Sequence, residues 1–304
     1  MLNVYEQVDH NKRKSFLIMV LFVVFVSGIA YLFSQVLDLG GGWFGLALIF
    51  SGISSLASYY WSDKIILSLS GARPADKKRD FHFYTVTENL CLAANLPMPK
   101  LYVIDDTATN AFATGRDPQH AAVCATTGLL TKLNRTELEG VVAHELSHIR
   151  NYDTRLMAIV TILIGMIALL ADWFMHSLWW GGRDRDRDDR GGNLQLILFV
   201  VAIIAAILAP LIGQLIQLAI SRRREFLADA SGVLLTRQPS GLISALKKIA
   251  SDKEPLEVAN RATAHLYIAN PFKDKGQEFV GWFANLFETH PPVSERIKAL
   301  EAMR

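Results

Sequence analysis

Residues 141–157 read VVAHELSHIRNYDTRLM and contain the pattern H-E-x-x-H, with histidines at positions 144 and 148. On a helix, His144 and His148 lie one turn apart and project from the same face, so two imidazoles can reach one metal ion. Zinc lowers the pKa of a bound water, and Glu145 stands where it can take the proton as hydroxide attacks a peptide carbonyl. The stretch therefore predicts a hydrolytic zinc site.

A catalytic zinc usually has three protein ligands and one open position, so a third ligand is needed. A histidine soon after the motif is excluded, because Asn151 and Thr154 stand where glycine and histidine would be required. The segment SRRREFLADASG, residues 221–232, offers Glu225 and Asp229 one helical turn apart. Glu225 can bind the metal while Asp229 accepts the second N–H of a ligand histidine. The alternative is that both are ordinary charges on a solvated helix face.

The composition of this 304-residue chain lies between those of membrane proteins and water-soluble proteins. Hydrophobic residues make up 51% and charged residues 20%, and the mean hydropathy is +0.24. The net charge of +2 is too small to indicate a nucleic-acid partner. Cys91 and Cys124 lack metal-ligand spacing and are too few for a disulfide framework, so we expect them to be reduced and buried.

Four apolar stretches are long enough to cross a bilayer, which takes about 20 helical residues. The stretches are residues 15–37, 39–62, 156–180 and 194–220. The first two form an N-terminal unit, residues 1–63, and the last two form a hairpin, residues 156–221. A cleaved signal peptide is the alternative for the first stretch, but its apolar core exceeds the usual length of about 7 to 15 residues.

The helix that carries the histidines has its own start signal, because Thr136 and Glu139 have the spacing of a capping box. From there the chain can run as one unbroken helix through His148 to the apolar stretch that begins at Leu156. At 1.5 Å per residue, the distance from His148 to Leu156 is about 12 Å. Glu225 also follows closely on an apolar stretch. We therefore expect the metal to lie near a membrane surface.

Uncompensated positive charge marks the cytoplasmic side of a membrane protein. Lysine and arginine cluster before the first span, after the second and after the fourth, at residues 12–14, 64–79 and 222–224. The link GGRDRDRDDRGG, residues 181–192, has its arginines matched by aspartates and indicates no function. We therefore predict that both termini and the polar segments 64–155 and 222–304 face the cytoplasm.

The two polar segments are expected to form the catalytic part. Residues 64–155 contain a helical pattern at Phe81–Ala94 and two strand patterns, LPMPKLYVID at 96–105 and HAAVCATTGLL at 120–130. Residues 222–304 have a mainly helical pattern. The predicted fold is a mainly α membrane protein with four transmembrane helices and a small α+β, zincin-like catalytic domain.

Several motifs together resemble the HtpX heat-shock membrane proteases, a family related to the CAAX prenyl endopeptidases. They are HELSH at 144–148, EFLAD at 225–229, TNAFATG at 109–115 and THPP at 289–292. The positions of the four predicted spans relative to these motifs add to the resemblance. The resemblance covers essentially the whole chain. It implies that Glu225 is the third ligand and Asp229 its outer companion in a gluzincin-like metalloendopeptidase with one zinc per chain.

The resemblance also implies roles around the substrate. Asn110 and Ala113, in NAFATG, would line the substrate cleft, which suits an edge strand that holds an extended peptide. Asn110 could equally be a turn residue. His290 is a candidate for stabilising the oxyanion, with a loop role before the last helix as the alternative. Arg296 is a candidate ion-pair partner for an acidic residue such as Asp229.

The resulting prediction is a multi-pass endopeptidase of the cell inner membrane, with polypeptides and the lipid bilayer as partners. It would cleave damaged or misassembled membrane proteins at the cytoplasmic face. One alternative is a specific processing protease of the prenyl-protein type, against which the four spans argue. Another is a zinc-bearing scaffold or chaperone, which would need no base such as Glu145 between the histidines. The sequence indicates no oligomeric state, cleavage preference or gating.

Overall fold

In the computed structural model, the described residues are 4–36, 42–166, 222–259, 263, 266–269, 271 and 291–303. Most of them are helical, and a four-stranded sheet lies in the first polar segment. Several predicted features lie outside the described residues. These are the predicted third span from residue 167 onward, the link at 181–192, the predicted fourth span at 194–220, and His290.

Two long helices at the N-terminus pack against each other. They are α1 at Val4–Val36 and α2 at Gly42–Leu69. Helix α1 contains most of the first predicted span and also includes the polar residues before it. Helix α2 contains most of the second predicted span and continues into the polar segment that follows it. By the combined requirement of length and hydropathy, no helix in the described ranges qualifies as a membrane span. The four spans therefore stay a prediction.

The sheet has strands β1 at Arg73–Pro74, β2 at Lys100–Ile104, β3 at Ala111–Gly115 and β4 at Ala121–Thr126. Their order is β1-β2-β4-β3, with β2 and β4 parallel and the two outer pairs antiparallel. Both predicted strand patterns are confirmed. The second strand is shorter than its pattern, because Thr126 accepts a hydrogen bond from the Leu129 N–H at 3.1 Å and starts a short helix, α4, at Thr127–Lys132. The segment AFATG forms the edge strand β3.

Helix α5, Arg135–Arg150, carries both histidines. The capping box predicted at Thr136 and Glu139 is wrong, because it forms two residues earlier. The Glu137 N–H donates to Asn134 Oδ1 at 3.0 Å, and the Asn134 N–H donates to Glu137 Oε2 at 2.8 Å. Hydrogen bonds from a later helix to the Glu137 carboxylate hold it in this position.

The prediction of one unbroken helix through Leu156 is also wrong. Helix α5 ends at Arg150, and Tyr152 has a left-handed backbone conformation with a φ of 60°. A left-handed residue cannot continue a right-handed helix, so the chain turns. A new helix, α6, begins at residue 153 and is described to residue 166. The predicted rise of about 12 Å from His148 along a single axis therefore does not apply.

Helix α5 lies at the centre of the polar segments. It packs against the sheet and against helices α3 at Phe81–Ala94, α7 at Arg222–Thr236 and α8 at Pro239–Ser251, while α9 at Val293–Glu301 packs on α7 and α8. The bounds of α3 are those predicted. Helix α7 approaches α5 closely at Gly232, where an added Cβ would lie 3.1 Å from the His144 backbone nitrogen. The close approach brings the acidic residues of α7 into reach of the histidines.

Candidate metal centre

Three side chains from two helices converge on one point. His144 and His148 come from α5, Glu225 comes from α7, and each is at most 5% exposed. The two Nε2 atoms lie 3.2 Å apart, and the Glu225 carboxylate oxygens lie 3.7 Å from His144 Nε2 and 3.5 Å from His148 Nε2. The predicted ligand set is thereby brought together, including the carboxylate that lies about eighty residues later in the chain.

The spacing of these atoms fits a zinc ion. Imidazole nitrogen and carboxylate oxygen bind zinc at about 2.0–2.2 Å, so ligand atoms of a tetrahedral site lie about 3.3 Å apart. The two Nε2 atoms have this separation at 3.2 Å, and each lies within 3.7 Å of one oxygen of the Glu225 carboxylate, Oε2 for His144 and Oε1 for His148. His144, His148 and Glu225 are therefore the residues that could hold the metal.

Each histidine is oriented by a carboxylate on its other nitrogen. His144 Nδ1 lies 2.9 Å from Asp229 Oδ1, and His148 Nδ1 lies 3.0 Å from Asp153 Oδ2. A neutral imidazole that donates from Nδ1 keeps its lone pair on Nε2, so both lone pairs face Glu225. The arrangement fixes the ring tautomers that metal binding requires.

Asp153 belongs to the candidate site and was not predicted from the sequence. On an unbroken helix, a residue five positions after His148 points about 140° away from it, so Asp153 would have been assigned to another face. The turn at Tyr152 redirects the chain and places the Asp153 carboxylate against His148. One signal in the sequence could have indicated it. Each of the two histidines needs a carboxylate to orient its ring, and Asp229 can do this for only one of them.

The charges around His148 favour a cation. Burial by itself would lower the pKa of His148, and it is the largest single effect. The hydrogen bond to Asp153 and the charges of Glu225, Asp153 and Glu145 outweigh it and raise the pKa to about 9. A proton and a metal ion compete for such a nitrogen, so the same field that attracts the proton also attracts the metal.

Arg296 forms the predicted ion pair with Asp229. Its side chain is fully buried, and its Nε and Nη2 atoms donate to the two Asp229 carboxylate oxygens at 2.8 and 2.6 Å. Burial would raise the pKa of Asp229, but the charge of Arg296 and the hydrogen bonds from His144 and Arg296 lower it to about 2. Asp229 is therefore ionised and can accept the His144 N–H at neutral pH.

A pocket opens beside the three converging side chains. Besides the two histidines, it is lined by Ala113, Glu145, Thr154, Met157, Leu266 and Ile268. Glu145 is 3% exposed and Ala113 belongs to edge strand β3. The predicted base and one predicted substrate residue thus share this pocket with the candidate metal ligands.

Asn110 lies next to the pocket in an internal contact and is 1% exposed. Its Nδ2 donates to the Ala269 carbonyl at 3.0 Å, and the Ile268 N–H donates to the Ala111 carbonyl at 2.9 Å. Asn110 therefore holds residues 266–269 against the start of β3. This contact could not be predicted from local patterns, because it joins residues 159 positions apart in the chain. A substrate role for Asn110 stays a prediction.

Sequence comparison decides the family. Residues 77–304 match the model of Peptidase family M48. The chain belongs to that family. Its H-E-x-x-H helix and the carboxylate of α7 both lie inside the matched region, so the M48 match covers the complete candidate metal centre.

Relatives of this M48 chain carry the name Protease HtpX homolog. One, from Caldanaerobacter subterraneus subsp. tengcongensis, is 44% identical over 299 residues that cover 98% of this chain and 97% of the relative. Another, from Ligilactobacillus salivarius, is 43% identical over 301 residues that cover 98% of this chain and 99% of the relative. The resemblance to HtpX proteases is confirmed. The crystal structure of S. mikatae Ste24p is 20% identical and covers 94% of this chain and 65% of that one, with a TM-score of 0.48.

Replacing Glu225 with alanine should remove one of three metal ligands, and two histidines alone leave the site with too few. We expect Glu225→Ala to lose most of its zinc on dialysis, measured as moles of zinc per mole of protein by mass spectrometry. Glu88→Ala, an exposed glutamate on α3, is the matched control and should keep the wild-type content. Stoichiometric zinc in Glu225→Ala would assign the third ligand to another residue.

Proposed function

We propose that this chain is a zinc-dependent endopeptidase in which His144, His148 and Glu225 hold one zinc ion per chain. The observation that carries the proposal is the convergence of two imidazole nitrogens, 3.2 Å apart, on the Glu225 carboxylate, beside the buried Glu145 in a shared pocket; each nitrogen lies within 3.7 Å of one carboxylate oxygen. Zinc bound there would supply a Lewis acid that polarises a peptide carbonyl and lowers the pKa of water. Membership in a peptidase family and the names of the relatives support the same activity.

Glu145 is the proposed general base. It follows His144 directly on α5, so it lies beside the metal ligands rather than among them, and it lines the pocket that they border. From this position its carboxylate can take a proton from the attacking water and deliver it to the leaving amine. Because the side chain is buried, bulk water does not compete for that proton.

The surrounding charges keep the ligands in place during turnover. Arg296 holds the Asp229 carboxylate with two hydrogen bonds, so Asp229 can fix the ring of His144. Asp153 does the same for His148. Loss of such outer partners typically weakens metal affinity or activity by about 10 to 100-fold.

An extended peptide is the proposed substrate. Edge strand β3 ends the sheet on the side of the pocket, and Ala113 lines that pocket. An extended segment can pair with the backbone of an edge strand and present its carbonyl to the metal centre. This geometry suits any unfolded polypeptide, so it favours a quality-control endopeptidase over a processing protease of the prenyl-protein type, which would select one modified terminus.

We also propose that the enzyme lies in the cell inner membrane and cleaves damaged or misassembled membrane proteins at the cytoplasmic face. Large apolar side chains are exposed along both N-terminal helices, among them Phe16, Val24, Leu46 and Ile53 at 61 to 66% exposure. Such surfaces suit lipid better than water. The clustered positive charges beside the apolar stretches favour a cytoplasmic location for both polar segments.

Glu145→Gln should keep zinc and fold but lose the base. We expect cleavage of an unfolded protein, measured on purified protein in detergent with zinc, to fall at least about a hundredfold. Glu139→Gln, on the same helix and paired at the surface with Arg135, is the control and should cleave normally. Equal turnover by Glu145→Gln and wild type would reject the mechanism. A wild type that binds zinc without cutting would favour the scaffold or chaperone.

The proposed topology predicts which positions a membrane-impermeant thiol reagent reaches from outside the cell. A cysteine at Gly182→Cys, between the third and fourth apolar stretches, should be labelled in intact cells. A cysteine at Lys253→Cys, in the second polar segment, should be labelled only after the cells are opened. Cys91 and Cys124 are buried, so they contribute little background. Labelling of Lys253→Cys in intact cells would refute the orientation.

A further inference from the structure

The first helix reaches the candidate metal centre through one buried amide. Asn11 of α1 is 1% exposed, and its Nδ2 donates to the Asn151 carbonyl at 2.9 Å and to Asp153 Oδ1 at 2.8 Å. An asparagine amide has two hydrogens, and both are used here. If the amide were flipped, the Asn11 Oδ1 atom would face two other oxygen acceptors. The two contacts therefore also determine that Nδ2, and not Oδ1, faces Asn151 and Asp153.

Asp153 links this amide to a candidate ligand. One of its oxygens accepts from Asn11, and the other accepts the Nδ1–H of His148 at 3.0 Å. Asp153 is 1% exposed, so each of its oxygens depends on protein groups rather than on water. Arg224 of α7 lies 3.8 Å from Oδ1 and adds positive charge on the same side. The carboxylate is therefore held from α1 and α7 while it orients a residue of α5.

Helix α1 braces the turn from which Asp153 projects. Asn11 holds the carbonyl of Asn151, and the ammonium group of Lys12 lies 4.6 Å from the ring centre of the left-handed Tyr152. About two to three turns further on, α1 packs against α6 through an apolar cluster that includes Ile18, Phe22, Leu156, Ile159 and Leu163. The packing between α1 and α6 thus supports the hydrogen bonds from Asn11 to Asn151 and Asp153.

We propose that Asn11 is a positioning residue of the metal centre, which fixes the Asp153 carboxylate and through it the ring of His148. The inference rests on the proposed zinc site. It makes the N-terminal helix a part of that site, whereas the sequence indicated only an anchor. Replacing Asn11 with alanine would leave a buried carboxylate oxygen and a buried carbonyl without their shared donor, which costs far more than the loss of one exposed hydrogen bond.

The test is zinc affinity, measured on the full-length protein in detergent by competition with a chromophoric chelator. We expect Asn11→Ala to bind zinc about 10-fold more weakly, the lower end of the effect of outer partners. Asn11→Asp keeps the side-chain volume but loses the donor, and it should bind at least as weakly. Ser15→Ala is the matched control, because Ser15 is buried one turn along α1 and its hydroxyl donates only to the Asn11 carbonyl.

A double-variant comparison separates positioning from packing. Asp153→Ala should weaken zinc binding by itself, and adding Asn11→Ala should then cause no further loss, because Asn11 acts through Asp153. An equal loss in both backgrounds would show that Asn11 acts by packing and would overturn the inference, even if Asn11→Ala also lowers thermal stability. Wild-type zinc affinity in both Asn11→Ala and Asn11→Asp would overturn the inference about Asn11 but not the proposed function. A wild type that binds no zinc would overturn the proposed function as well.

Discussion

The hydrogen bonds from His144 to Asp229 and from His148 to Asp153 determine which nitrogen of each ring faces the candidate metal. Both carboxylates must approach from outside α5, because the two histidines occupy a single face of that helix. Much of the surrounding structure serves this requirement. Helix α7 brings Asp229 together with Glu225, α9 supplies the arginine that holds Asp229, and the break after α5 turns Asp153 back onto the ring.

The need for these carboxylates beside the histidines concentrates charged side chains in the protein interior. Six charged side chains around the two histidines are each at most 5% exposed: the carboxylates of Glu145, Asp153, Glu225 and Asp229 and the guanidinium groups of Arg224 and Arg296. The formal charges of these six groups sum to an excess of two negative charges, which is unfavourable in a low-dielectric interior unless a cation compensates it. A divalent cation at the convergence point would balance them. The electrostatics and the ligand spacing therefore lead to the same conclusion by separate routes.

The parts that could be predicted from the sequence are those that local periodicity encodes. The H-E-x-x-H spacing placed His144 and His148 on one helical face, and the helix and strand patterns of the first polar segment matched the structure closely. Features that depend on distant contacts could not be predicted. Contacts from a later helix hold Glu137 of the capping box at Asn134, and the turn at Tyr152 contains no glycine that would indicate a turn in the sequence. The role of Asn11 depends on a partner 142 residues away.

The central claim is that one zinc ion is bound by two imidazoles and one carboxylate. X-ray absorption at the zinc edge of the purified, full-length protein tests it most directly, because the method reports the ligand atoms without reference to activity. The account predicts one zinc per chain in a shell of nitrogen and oxygen atoms at about 2.0–2.2 Å, with outer-ring scattering from two imidazoles. A sulfur ligand at about 2.3 Å, which would bring in Cys91 or Cys124, or scattering from three imidazoles, would contradict it.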